Sequence, residues 1–367
     1  MTDASSASAR GHPLVDLDRP ETYTAVDVAD MRRHLEALPT QIEDAWRLVA
    51  AFEAPAACAG ADAIVVAGMG GSAIGADLVR GLYIDTLPVP LVVWRDYGLP
   101  AWVGPRTLVI AASYSGGTEE TLSAVERARA VGARLLGITT GGALAETLTA
   151  YGAPLLRYHY AAQPRAALGY SLGLLLGVLA RLGYLPPQDA AVEAGVRVAR
   201  EALARFGPGV PTAANGTKQL ARALVDRIAV VYGAGFLAPV ARRWKGQCNE
   251  NAKHWAFFEE LPELDHNAVM GYAFPPALAD RLLVVLLRSS LLGPRLALRG
   301  AVTLELLERA GIPRWPMDAW GDGPLAHLLS ALVYGDWTSY YLALLNGTDP
   351  TSIAAIDYLK ARLAEGG

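Results

Sequence analysis

The stretch Ala63-Ile64-Val65-Val66-Ala67-Gly68-Met69-Gly70-Gly71-Ser72-Ala73-Ile74-Gly75 decides how the rest of the chain reads. Apolar residues run unbroken from Ala63 to Ala67, stop at a glycine turn, and give way to helical composition through Tyr83. A short apolar run bounded by glycine is what a strand buried on both faces requires, as in a parallel sheet. The same grammar recurs at Val89–Trp94, Leu108–Ala112, Leu135–Ile138 and Pro154–Tyr158, with Thr118–Val131 helical in between. The spacing predicts a doubly wound α/β sheet, whose ligands sit outside the carboxyl ends of the strands.

At 367 residues the chain exceeds one ordinary core of roughly 100–200 residues, so two domains are expected. A second strand-and-turn, Ala229-Val230-Val231-Tyr232-Gly233-Ala234-Gly235, matches Ile64–Gly70 at an offset of 165 residues, the simplest reading of which is a duplicated α/β domain. Ile228–Tyr232 and Arg281–Leu287 read as its strands, and Phe236–Gln247, Arg295–Ala310, Gly323–Leu345 and Ser352–Ala364 as its helices. The polar break Tyr184–Asp189, the helical stretch Ala190–Phe206 and the loop Gly207–Pro211 place the boundary. We therefore expect a flexible tail over 1–20, one α/β domain over 21–207 and another over 208–367.

Composition narrows the function. With 52% hydrophobic and 19% charged residues the chain buries a large interior, which excludes disordered, collagenous and coiled-coil classes. A net charge of −4 offers no basic face to a nucleic acid. Cys58 and Cys248 cannot build a disulfide framework or a four-thiolate metal site, and they fit a reducing, cytoplasmic compartment. Met1–Arg19 lacks the apolar core of a signal peptide. Ala166–Ala180 is the most lipid-like segment, yet it is shorter than the ~20 residues of a membrane span and reads as a buried helix.

Two loops carry the chemistry. Gly68–Gly75 opens a helix with Gly70, Gly71 and Ser72, and free N–H groups at a helix start suit an anion. Its spacing also meets the dinucleotide fingerprint G-x-G-x-x-A, with Asp96 past the next strand, so a nicotinamide-dependent oxidoreductase is one alternative. The loop Ser113-Tyr114-Ser115-Gly116-Gly117-Thr118-Glu119-Glu120 follows the strand Leu108–Ala112 and adds hydroxyls at Ser113, Ser115 and Thr118 around a glycine pair. A dinucleotide fold does not need that second loop, whereas one phosphate dianion held between two such loops does. Thr118 could instead simply cap the helix that follows.

These motifs resemble the two signatures of the sugar isomerase (SIS) domain, which binds phosphosugars. Downstream, Arg243-Trp244-Lys245, Asn249-Glu250-Asn251-Ala252-Lys253-His254 and Pro262-Glu263-Leu264-Asp265-His266-Asn267 are similar to the bifunctional phosphoglucose/phosphomannose isomerases, as are Pro164–Tyr170 and Lys360. The resemblance implies two SIS subdomains, each a flavodoxin-like αβα sandwich, and an aldose–ketose isomerase of hexose 6-phosphates working through a cis-enediol. It implies phosphate contacts from Gly70, Gly71, Ser72, Ser113, Ser115 and Thr118. Glu250 would be the base moving a proton between C1 and C2, and His266 would open the sugar ring from the neighbouring subunit of a homodimer. Lys360 would lie near the ring oxygen, and Arg165 would balance charge on the enediolate, where a fixed cation favours the transition state.

The family usually has asparagine where this chain has Gly117. No cofactor and no metal is implied; Glu250, His254 and His266 are too sparse for a zinc site. A non-catalytic SIS-type phosphosugar sensor is the remaining alternative, although it would normally carry a DNA-binding or partner module. No membrane or nucleic-acid partner is expected.

Overall fold

A computed structural model of the chain describes residues 15–365. Its first sheet is fully parallel and consists of β1 (Ala63–Ala67), β2 (Leu91–Trp94), β3 (Thr107–Ser113), β4 (Arg134–Thr139) and β5 (Leu155–Arg157). Their spatial order is β2-β1-β3-β4-β5, the order of flavodoxin-like doubly wound sheets, with the topological switch between β1 and β3. All seven residues of β3 are buried, as expected of a central strand covered on both faces. β2 starts at Leu91 rather than Val89, because Pro90 has no N–H for the ladder although its carbonyl still accepts from Ile64 N at 2.9 Å.

The second sheet is also parallel: β6 (Ile228–Ala234), β7 (Ala256–Leu261), β8 (Leu282–Arg288) and β9 (Arg314–Asp318), in the order β7-β6-β8-β9. Counted from its own first strand, this repeats the beginning of the first sheet's order, as a duplicated domain should. The sequence pattern missed β7 and β9, and both are edge strands. β7 exposes Phe257, Glu259 and Glu260, and β9 contains Pro316, so neither shows the continuous apolar run of a central strand.

The chain divides into two compact units that are not the two contiguous spans expected from the sequence. One comprises 36–200 with 321–329; the other comprises 15–35, 201–320 and 330–365. Residues 1–14 of the expected tail lie outside the described residues. Within the remainder of that span, Leu17 is fully buried and Asp18 accepts hydrogen bonds from Thr212 N, Thr212 Oγ1 and Lys218 Nζ, the last at 3.0 Å. Lys218 itself is fully buried and also donates to the carbonyls of Leu17 and Pro208, so the segment docks on a buried cation for which the local pattern holds no cue.

In the first unit the lipid-like segment becomes a 3-10 turn, Pro164–Ala167, and a helix, Leu168–Arg181, buried along nearly its whole length. Gly173 on this helix meets the helix Leu38–Ala51 so closely that a Cβ would lie 2.8 Å from the Ala45 Cβ. Among the described residues, no helix is long and apolar enough to cross a membrane. Alanine ordinarily stabilises a helix relative to glycine by roughly 0.5–1 kcal/mol, but here the packing term dominates. Gly173→Ala should lower unfolding free energy by about 1–3 kcal/mol in urea denaturation, the ordinary cost of overpacking; a gain in stability would show the two helices free to separate.

Candidate functional site

In the first unit the glycine and hydroxyl loops stand side by side at the carboxyl ends of β1 and β3. The helix Gly70–Tyr83 begins directly after β1; its N-cap, Met69, offers no capping side chain, and Gly70 takes a left-handed φ of 49°. A Cβ at Gly71 would lie 2.7 Å from the Pro164 carbonyl oxygen and 3.1 Å from Arg165 N, so only glycine lets the turn bearing Arg165 approach this helix start. Ser72 Oγ accepts from Tyr114 N at 3.0 Å, which joins the β1 loop to the β3 loop and leaves the serine proton available to a ligand.

The hydroxyls of the β3 loop divide their tasks. Ser113, 2% exposed, accepts from Gly116 N at 3.1 Å and shares a 2.8 Å hydrogen bond with Thr118 Oγ1. Thr118 is the N-cap of the helix Glu119–Ala130, yet its side chain makes no capping bond, so the simple capping role open to it in the sequence is not the one it plays. Ser115 is exposed and accepts from Gly117 N at 3.3 Å. Ser113 thus shapes the loop, Ser115 is exposed, and Ser72 is half-buried at the junction of the two loops. A Cβ at Gly117 would have only Ser115 Oγ within 4 Å, at 3.9 Å.

Arg165, in the turn Pro164–Ala167, is 2% exposed. Sequence reasoning missed Tyr114, whose hydroxyl accepts from Ala162 N at 2.9 Å and donates to the Tyr160 carbonyl, tying the loop to the segment that leads to Arg165. It also missed Thr140, which donates from Oγ1 to the Tyr114 carbonyl at 2.6 Å. The available signal was Thr139-Thr140-Gly141-Gly142, which follows β4 in the same hydroxyl-and-glycine grammar. A small cavity of about 20 Å³, room for one water, lies behind these loops against Gly71, Ser72, Tyr114, Tyr158 and Ser171.

The other three expected residues belong to the second unit and sit on three different elements. Glu250 lies in the last turn of the helix Ala238–Ala252, which runs past the expected end at Gln247, and is half-buried. Arg243, Gln247 and Asn251 form a buried stripe on that helix, four residues apart. Arg243 Nη2 lies 3.4 Å from each carboxylate oxygen of Asp336, Gln247 Nε2 donates to Asp336 at 2.8 Å, and Asn251 Nδ2 donates to Ser339 Oγ at 3.0 Å. The motif around Glu250 is therefore largely a packing device. Cys248 is buried, and burial raises its thiol pKa to about 12, so it stays an unreactive thiol.

His266 is exposed at the end of the 3-10 turn Glu263–His266. The neighbours on either side of Asp265 have opposite fates: Leu264 is fully buried, and His266 faces out. Asp265 accepts from Arg299 Nη1 at 2.8 Å and from Thr303 Oγ1 at 3.0 Å, which fixes the loop. Lys360 is exposed on the helix Ala354–Glu365, alongside exposed Ile356, Tyr358, Leu359 and Leu363. His254 is turned inward: Nε2 faces the Arg227 carbonyl and Nδ1 faces Asn346 Nδ2 at 3.4 Å, while burial holds its pKa below the ordinary value. Among the described residues, no group of three His, Cys, Asp or Glu side chains is placed to hold a metal ion.

The model of the bacterial phospho-glucose isomerase C-terminal SIS domain matches residues 213–363. The chain is 39% identical over 331 residues to a bifunctional phosphoglucose/phosphomannose isomerase of Caldicellulosiruptor bescii, covering 89% of this chain and 97% of that one. A protein with the same description from Aquifex aeolicus is 35% identical, with 82% and 90% covered. Among solved structures, a hypothetical protein from Thermus thermophilus shares the fold at a TM-score of 0.73 and 18% identity, with 95% of this chain and 93% of that one covered.

The Tyr114 hydroxyl links the β3 loop to the 160–162 segment by two hydrogen bonds. Tyr114→Phe should cost about 1–3 kcal/mol in denaturant unfolding, since it leaves a partly buried amide and carbonyl without a partner. An unchanged unfolding midpoint would show that water replaces the hydroxyl without loss.

Proposed function

The chain belongs to the bifunctional phosphoglucose/phosphomannose isomerases, and from that premise we propose that it interconverts glucose 6-phosphate and mannose 6-phosphate with fructose 6-phosphate through a cis-enediol, with Glu250 as base. It is an aldose–ketose isomerase. The two aldoses differ only at C2, and that stereocentre vanishes in the enediol, so one base serving C1 and C2 suffices for both. The observation that carries this reading is the pair of joined hydroxyl loops at β1 and β3 within a chain so similar to those isomerases.

The phosphate is held by Ser72, Ser115 and the N–H groups of Gly70, Gly71 and the β3 loop, with Ser113 and Thr118 keeping that loop in shape. Two uncapped helix starts at this point favour a dianion. A guanidinium is a permanent cation, and in its buried turn Arg165 offers fixed positive charge to the enediolate oxygens. Glu250 takes the proton from one carbon and returns it to the other, a transfer worth roughly 10²–10⁴-fold in rate.

His266 opens the cyclic sugar by moving a proton between the C1 hydroxyl and the ring oxygen, and Lys360 sits by that ring oxygen. In our reading His266 serves the neighbouring subunit of a homodimer. Its exposure on a loop fastened by Leu264 and Asp265 supports this, as does the apolar surface of the terminal helix. The buried, unpaired cysteines are in keeping with the cytoplasm, where this interconversion serves carbohydrate metabolism.

A coupled assay with glucose 6-phosphate, mannose 6-phosphate and fructose 6-phosphate in parallel tests the activity. Glu250→Gln should lower kcat for the glucose 6-phosphate reaction about a thousandfold while phosphosugar binding, followed by calorimetry, persists. Equal loss of turnover and binding would mark Glu250 as structural. The open space beside Gly117 carries a further expectation: Gly117→Asn should fold normally and lower KM for the hexose 6-phosphates several-fold at unchanged kcat. A raised KM would show that the loop needs the glycine.

A further inference from the structure

The helix Ala238–Ala252 ends on Lys253, whose φ of 49° and ψ of 33° are left-handed. Glycine takes that conformation freely, whereas a lysine incurs a steric penalty in it. Its backbone N–H closes the helix onto the Cys248 carbonyl, a bond that glycine would make equally well. What lysine adds is its side chain. Lys253 Nζ donates to the Glu250 carbonyl at 2.9 Å, to the Asn251 carbonyl at 3.3 Å and to the Asp349 carbonyl.

The first two acceptors are last-turn carbonyls that have no partner within the helix, and a cation is favoured at this negative end of the dipole. The third lies in the turn between the helices Pro324–Leu345 and Ala354–Glu365, and the latter carries Lys360. Asn346 Nδ2 adds a parallel tie, donating to the Ala252 carbonyl at 3.0 Å. An ammonium has three protons, and three backbone carbonyls lie within their reach, so the group is engaged with the turns around it.

We propose that Lys253 is a positioning residue for the isomerisation: its ammonium fastens the turn that carries Glu250 to the turn that launches the Lys360 helix. The inference rests on the reading of Glu250 as the base. A carboxylate that serves two adjacent carbons tolerates little displacement, since a shift of about 1 Å costs on the order of a hundredfold in rate.

Lys253→Gly, Lys253→Arg and Glu250→Gln, measured in parallel on the full chain with glucose 6-phosphate, test this. Lys253→Gly relieves the left-handed strain, so its Tm should be unchanged or higher, with KM within about twofold and kcat down roughly ten- to a hundredfold. Lys253→Arg, which still donates to the carbonyls, should recover most of kcat. Full kcat in Lys253→Gly beside an inactive Glu250→Gln overturns the positioning role alone. A fall in Tm together with kcat assigns Lys253 to stability, and a raised KM at unchanged kcat makes it a substrate contact; either overturns the proposal. An active Glu250→Gln removes the base itself, and the inference with it.

Discussion

The first unit depends on a constraint of space: three loops at the carboxyl ends of β1, β3 and β4 approach each other more closely than any side chain would permit. A Cβ at Gly68 would strike the Ala112 carbonyl of β3, one at Gly116 would overlap the Gly141 carbonyl, and one at Gly142 would overlap the Ser115 carbonyl. The hydrogen bonds then follow from proximity. Ser72 meets Tyr114 N, Leu144 N meets the Gly116 carbonyl at 2.8 Å, and Thr140 meets the Tyr114 carbonyl. Backbone N–H groups gathered this way are held in place by the fold itself, before any ligand arrives.

In the second unit the constraint is polar rather than spatial. Its helix Ala238–Ala252 turns a polar stripe, Arg243, Gln247 and Asn251, onto Asp336 and Ser339 of the helix Pro324–Leu345. An apolar seam would pack at least as well, because desolvating an ion pair offsets much of its attraction. A polar stripe, however, has only one register in which all its partners meet, whereas an apolar seam tolerates sliding and rotation. Glu250, adjacent to Asn251, inherits that register. The residues flanking Glu250 in the motif are accordingly explained by the register they set.

Much of this was legible in the sequence because central parallel strands and glycine turns leave local signatures. β1, β3, β4, β6 and β8 are apolar runs, and the β1 and β3 loops announce themselves by glycine and hydroxyl content. Edge strands do not: β7 mixes phenylalanine with glutamate, and β9 contains a proline, since an edge strand is exposed and has fewer ladder bonds to fill. The docking of residues 15–35 was equally invisible, for it hangs on Lys218, whose burial no local pattern encodes. Tyr114, Asp265 and Lys253 escaped for the same reason, each acting through a partner distant in sequence. Family resemblance singles out Glu250, which composition alone leaves a carboxylate on a helix.

The two sheets share a strand order, but the turns after their first strands differ in chemistry. At the offset that aligns β1 with β6, the position of Ser72 is held by Leu237, which is fully buried. Both turns are glycine-rich, and Gly235, like Gly70, is left-handed. In the second unit, though, the turn is filled by an apolar side chain where the first presents a hydroxyl. The loop after β8 opens with Ser289 and Ser290, Ser289 Oγ accepts from Leu291 N at 3.0 Å, and Leu292 packs onto the apolar core of that unit. The second unit thus has hydroxyls after β8 but none at the position of Ser72, where its glycine turn is packed by Leu237.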